Sequence, residues 1–220
     1  MKRRTLDVMF SVGGLMIAAL LLAMGIVLTS NANFAKNYTR DQLTAQQISF
    51  KAADKLTAEE KKAACLVEYA GQRLTTGAQA ECYANEYIGL HVKSTAAGRT
   101  YASQGDYING LKAELATAQT ATPPDQAKIT DLNSQITAAT AARETLFKGE
   151  TLRGLLLTSY GFSVFGVKGA QGATVAFVIS GLMLLLALAG LYHAWKTPRD
   201  KAFAAPEVVR NGSQKVLANA

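Results

Sequence analysis

The sequence predicts an all-α membrane protein: two transmembrane helices flanking an extracytoplasmic helical bundle that contains a coiled-coil hairpin. Three observations carry this prediction. Residues 8–29 form a stretch of 22 without a charged side chain, and residues 173–192 form another of 20. A bilayer core takes about 20 apolar residues of helix, and at that length inside lipid only a helix satisfies its own backbone. Between the two stretches, from Asp106 to Lys148, apolar residues recur alternately three and four apart, the seam of paired helices. The basic residues, finally, crowd the two chain ends.

That last point turns a misleading total into a topology. The net charge of the 220 residues is +7, but residues 1–7 hold +2, the tail 196–220 holds +3, and the long middle, with 15 basic and 13 acidic residues, only +2. Lys and Arg beside the ends of a span mark the cytoplasmic side. The expected plan is therefore a cytoplasmic N-terminus at 1–7, a first span at 8–29, an extracytoplasmic domain at 30–171, a second span at 172–195 and a cytoplasmic tail at 196–220. A nucleic-acid partner is excluded, since no basic stripe with interleaved aromatics occurs. Signal peptides carry apolar cores of about 7–15 residues, so the longer first stretch reads as a retained anchor rather than one cleaved near Ala32. Small residues four apart, Gly14 with Ala18 and Ala19 with Ala23, allow close helix contact in lipid.

Beyond the first span the helix is expected to continue through Phe34, Tyr38 and Leu43, the two rings one turn apart as an interfacial aromatic pair. Residues 45–55 then read as loop. Residues 57–92 predict a helical hairpin. Thr57 and Glu60 make a capping box, opening a helix to about Gln72; Gly71 and Gly77 bracket the turn; a second helix runs from Gly77 to Val92, with Tyr83, Tyr87 and Leu90 at helical spacing. Both cysteines fall here. On antiparallel helices rising about 1.5 Å per residue, Cys65 and Cys82 come nearly level across the turn, which predicts a disulfide in an oxidising compartment. Residues 94–105 read as a linker. Residues 106–148 predict the coiled-coil hairpin, broken at Pro123 and Pro124, with Ile108, Leu111, Leu115 and Ala118 on one arm and Ile129, Leu132, Ile136, Ala139 and Leu146 on the other; Arg143 interrupts the apolar pattern. Residues 152–165 predict an interfacial helix on the outer surface, bending into the second span at Gly161, Gly166, Gly169 and Gly172. Tyr192 and Trp195 form the inner aromatic belt. The tail from Phe203 is expected to be disordered.

No residue pattern carries recognisable chemistry, so no catalytic, metal or cofactor site is expected. The two histidines, His91 and His193, are predicted on opposite sides of the membrane. No Walker loop or dinucleotide fingerprint occurs. Residues 161–166 miss the nucleophile elbow because Phe165 stands where glycine is required. Glu59, Glu60, Glu68, Glu81 and Glu86 read as solvation of exposed helices.

Residues 65–72, 76–80, 83–85, Ile88 and 150–162, with Asn33, Phe34 and Ala35 after the first span, resemble a family of two-span membrane proteins of actinobacteria. Many members carry an aromatic ring-opening dioxygenase label. The resemblance covers nearly the whole chain and implies an actinobacterial plasma membrane. The label implies an iron triad of two histidines and a carboxylate, which the histidine content here does not support. The expected function is thus a non-enzymatic accessory or scaffold component of an envelope or respiratory assembly, its partners the lipid bilayer and another membrane or envelope protein. The alternatives are a ligand-sensing module acting through a separate cytoplasmic partner, and the labelled dioxygenase.

Overall fold

The computed structural model describes residues 3–198. The expected tail at 196–220 therefore lies almost wholly outside the described residues. Within them the chain is helical, without a strand; only a lone bridge pairs Ser49 with Arg73. Six α-helices carry the fold: α1 (Arg3–Ala45), α2 (Ala64–Glu68), α3 (Gly77–Cys82), α4 (Gly89–Thr95), α5 (Tyr101–Thr120) and α6 (Gln126–Lys196). A π-helical segment, Tyr83–Ile88, joins α3 to α4. The helices α1 and α6 are each long and apolar enough to cross a membrane. The chain divides into two compact units, one of residues 1–29 with 171–220, the other Ser30–Ala170.

The first unit is an antiparallel pair built on small side chains. Ser11, Gly14, Ala18 and Gly25 are the buried positions of α1 there, and Ala173, Ala176, Ser180, Ala187 and Ala194 those of α6. Both sets follow steps of three, four and seven, the repeat of helices that coil around one another. Small residues let the backbones approach: a methyl on Gly14 would sit 3.4 Å from the Ala187 Cβ, and the Ser180 hydroxyl donates to the Ala18 carbonyl at 2.7 Å. Gly190 makes room for Ser11. Of the two pairs noted in the sequence, Gly14 and Ala18 form the seam, while Ala19 and Ala23 face outward.

In the second unit α1 continues past residue 30 to Ala45, as its periodicity predicts. The core gathers Leu43, Phe50, Leu66, Leu74, Ala80 and Leu156. The coiled-coil arms pack as expected, with Ile108, Leu111 and Ala118 against Leu132 and Ala139, joined by Leu115, Ile129 and Ile136. Asp125 opens α6 by accepting the Lys128 amide at 3.0 Å. Arg143, the break in the apolar pattern, lies 4.2 Å from the Tyr101 ring centroid and donates to the Tyr101 carbonyl.

Four expectations about this unit need correction. The first arm of the 57–92 hairpin is not one helix to Gln72. Its capping box forms, but opens only a 3-10 turn, Glu60–Lys62; Ala63 is extended at φ −85°, ψ 105°, and α2 lasts five residues. The backbone pairs instead with the segment before it: the amides of Gly71 and Leu74 donate to the carbonyls of Lys51 and Ile48, and the Phe50 amide to Gln72, all at 2.9 Å. The second arm runs past Val92 to Thr95 and contains the π turn. Residues 94–105 are mostly helix, because Thr100 and Ser103 form a reciprocal cap that starts α5 at Tyr101. Residues 152–165, last, form no separate helix: they belong to α6, which is continuous from Gln126 to Lys196 through its glycines. Gly166, and Gly149 earlier in α6, serve close packing instead. A side chain on Gly149 would strike Val92, and one on Gly166 would meet the Ala35 Cβ at 3.1 Å and the Ala32 carbonyl at 3.3 Å.

Candidate functional site

The densest chemistry lies in the 30–170 unit, around Glu60. The capping box places this carboxylate: the Thr57 amide donates to Oε2 at 2.8 Å, and the Glu60 amide donates to the Thr57 hydroxyl at 3.2 Å. The capping glutamate is only 2% exposed. From the preceding loop Lys51 reaches Oε1 at 2.8 Å, and its ammonium lies 5.1 Å from the Tyr87 ring centroid. Burial by itself raises the Glu60 carboxyl, but the Lys51 ammonium and the Thr57 amide outweigh it and hold the group below its ordinary value. The hydrogen bond to Glu60 raises Lys51 against the opposing effect of burial, with help from Tyr87. Both groups are thus held charged at neutral pH.

The second arm supplies the aromatic wall. Phe50 meets Tyr69 and Tyr83, Tyr83 meets Tyr87, and Tyr87 meets His91, with ring centroids 4.6–5.6 Å apart. Burial raises the Tyr83 phenol. The π turn covers Tyr83 and Tyr87; Arg153 of α6 braces it by donating from Nε to the Ala84 carbonyl at 3.1 Å, while Glu150 holds the guanidinium at 2.8 Å. Such π turns recur at functional sites. His91 Nδ1 lies 2.7 Å from the Tyr87 carbonyl, an acceptor, so Nδ1 carries the proton and a neutral ring leaves Nε2 as an acceptor. Nε2 lies 4.0 Å from Glu60 Oε1. A cleft of about 490 Å³ opens here, lined by Thr57, Glu59, Glu60, Leu90, His91 and Ser94 among others. The volume suits a small molecule.

Cys65 and Cys82 form a disulfide directly behind this wall, with Cα atoms 6.1 Å apart. Tyr83 and Tyr87, placed by the sequence at helical spacing on the second arm, are half-buried and pack against the core around Leu66 and Leu74. Glu60 and Lys51 are the residues that the sequence reading did not pick out as a pair. Glu60 was legible as a cap, but a lysine nine positions earlier in a loop gives no signal that it shares the same carboxylate.

An iron site of the kind the dioxygenase label implies does not fit these residues. His91 belongs to one unit and His193 to the other, where its Nδ1 meets Asp7 at 2.9 Å. Among the described residues no group of three or more His, Cys, Asp or Glu is placed to hold a metal. No family model, curated protein or solved structure matches the chain.

Proposed function

We propose that the chain is an integral plasma-membrane protein of the actinobacterial two-span kind it resembles. Both termini are cytoplasmic, and the helical domain is displayed outside the bilayer. It acts without catalysis, as an accessory or scaffold component of an envelope or respiratory assembly. Supporting the membrane setting are two helices apolar enough to span and a seam of small side chains between them, as membrane helix pairs use.

The observation that carries the docking role is the outward face of α6 in the domain. Phe147, Leu152 and Leu155 are all more than half exposed, Leu155 at 62%. They stand on a helix whose remaining outward residues there are mostly polar or small. Exposed apolar rows of this kind mark protein contacts. With p-benzoylphenylalanine in place of Leu155 in the full-length protein, irradiated native membranes should yield a discrete crosslinked adduct. Absence of any adduct from Phe147, Leu152 and Leu155 alike would sink the docking role.

The cleft beside Glu60 and His91 favours a second reading, a ligand-sensing module working through a separate cytoplasmic partner. A library of small polar metabolites raising the melting temperature of the detergent-solubilised protein, but not of its His91→Ala variant, would favour it over the scaffold.

A further inference from the structure

The end of the domain where the chain enters and leaves carries a cluster that neither the core nor the docking face uses. Phe34 stacks on Tyr38 with centroids 5.6 Å apart, and Tyr38 meets Phe162 edge-on at 6.1 Å. Phe165 lies one turn further along α6 and is 78% exposed; Phe34 is 60% exposed. Gly166 seats α6 against Ala32 and Ala35 of α1, with the Lys36 backbone beside it. Lys36 and Lys168, two and three residues along the chain from Phe34 and Phe165, are both exposed. The nearby acid, Asp41, is held by Arg40 at 3.1 Å.

We infer that this cluster is a binding surface for phospholipid headgroups of the outer leaflet; the inference rests on the membrane reading above. Counting along the helices at about 1.5 Å per residue, Phe34 lies roughly 7 Å beyond Thr29 and Phe165 roughly 9 Å before Gln171, the residues that bound the first unit on α1 and α6. Headgroups occupy about 5–8 Å on each side of the hydrocarbon core. Phe34 therefore falls at headgroup level and Phe165 at its outer edge, with Tyr38 and Phe162 roughly 5 Å beyond that edge. Aromatic rings favour this layer because they are apolar in body and tolerate a wet edge. Lys36 and Lys168 lie within a few ångströms of the same depth, where their flexible stems can carry the ammonium groups to lipid phosphates. Depth and charge together select lipid over a protein partner here.

The test uses the full-length protein in nanodiscs of phosphatidylcholine and phosphatidylglycerol. In a Trp195→Phe background, tryptophan is placed by Phe165→Trp or, as a control within the span, Leu182→Trp. A headgroup nitroxide lipid should quench the tryptophan of Phe165→Trp more than a mid-chain nitroxide lipid does, with the reverse order for Leu182→Trp. If neither lipid quenches the Leu182→Trp protein, the membrane reading itself has failed. If Leu182→Trp behaves as expected while Phe165→Trp is quenched by aqueous iodide alone, or more strongly by the mid-chain lipid, the headgroup surface is overturned. For the lysines, Lys36→Gln with Lys168→Gln should lower the preference for phosphatidylglycerol, read by native mass spectrometry of bound lipid. The expected fall is about fivefold per lysine, the equivalent of roughly 1 kcal/mol for a Lys at an anionic surface. An unchanged preference would remove the lysines from the surface.

Discussion

Glu60 shows how one residue can serve two purposes. As a cap it satisfies the Thr57 amide; as a buried anion it anchors Lys51, and through Lys51 the loop that carries Phe50 into the core. Because its folded value is depressed, the pair contributes stability that is present above the ordinary carboxylate value of about 4.3 and is lost as pH falls through the lower folded value. Lys51 behaves conversely: its value is raised, so its share is present below about 10.4 and lost as pH rises through the folded value. Glu60→Gln should therefore destabilise the domain by about 1–3 kcal/mol and flatten the acid limb of a melting temperature against pH curve. An acid limb equally steep in the variant would show that Glu60 does not carry it. Leu66 and Leu146, at 1% and 0% exposure, are residues of another kind. Leu146→Ala should cost about 2–5 kcal/mol, read by chemical denaturation of the detergent-solubilised protein.

At the scale of elements, the disulfide compensates for shortness. The helix α2 has five residues and α3 six, and isolated helices below about 12–15 residues are marginal in water. Cys65 and Cys82 close a loop with a sequence separation of 17, a length for which cross-linking contributes about 3 kcal/mol. Reduction should lower the melting temperature of the domain while leaving most of its circular-dichroism helix signal, which comes from α1, α5 and α6. An unchanged melting temperature on reduction would mean that the packing of Leu66 and Leu74 suffices alone. The coiled-coil hairpin was legible in detail because heptad spacing is local information. The reciprocal cap of Thr100 and Ser103 was not, since serine at the third position lacks the Glu or Gln that marks a capping box. The π turn left no trace in residue pattern; it depends on Arg153 arriving from a helix some 70 positions away to take the Ala84 carbonyl.

For the whole molecule, the unequal distribution of charge is the strongest statement about orientation. A membrane-impermeant maleimide on intact cells should label a Ser30→Cys variant and spare Lys201→Cys; the native cysteines, bonded to each other, give little background. Labelling of Lys201→Cys from outside would invert the topology and remove the domain from the oxidising compartment that its disulfide implies.

The sequence by itself determined the helical class, the two apolar helices, the pairing of Cys65 with Cys82 and the arms of the coiled coil, because hydrophobic length, heptad spacing and turn position are all written in neighbouring residues. Tertiary structure decided what depends on distant partners. It broke the first hairpin arm at the extended Ala63 and ended its helix at Glu68, after which the Gly71 and Leu74 amides find carbonyls in the 48–51 segment instead of their own helix. It kept α6 helical through the glycines that the sequence offers as bends, one of which, Gly166, packs against Ala35 and the Ala32 carbonyl. It also brought Lys51, Glu60, Tyr87 and His91 together from three separate segments, a meeting that no local pattern encodes.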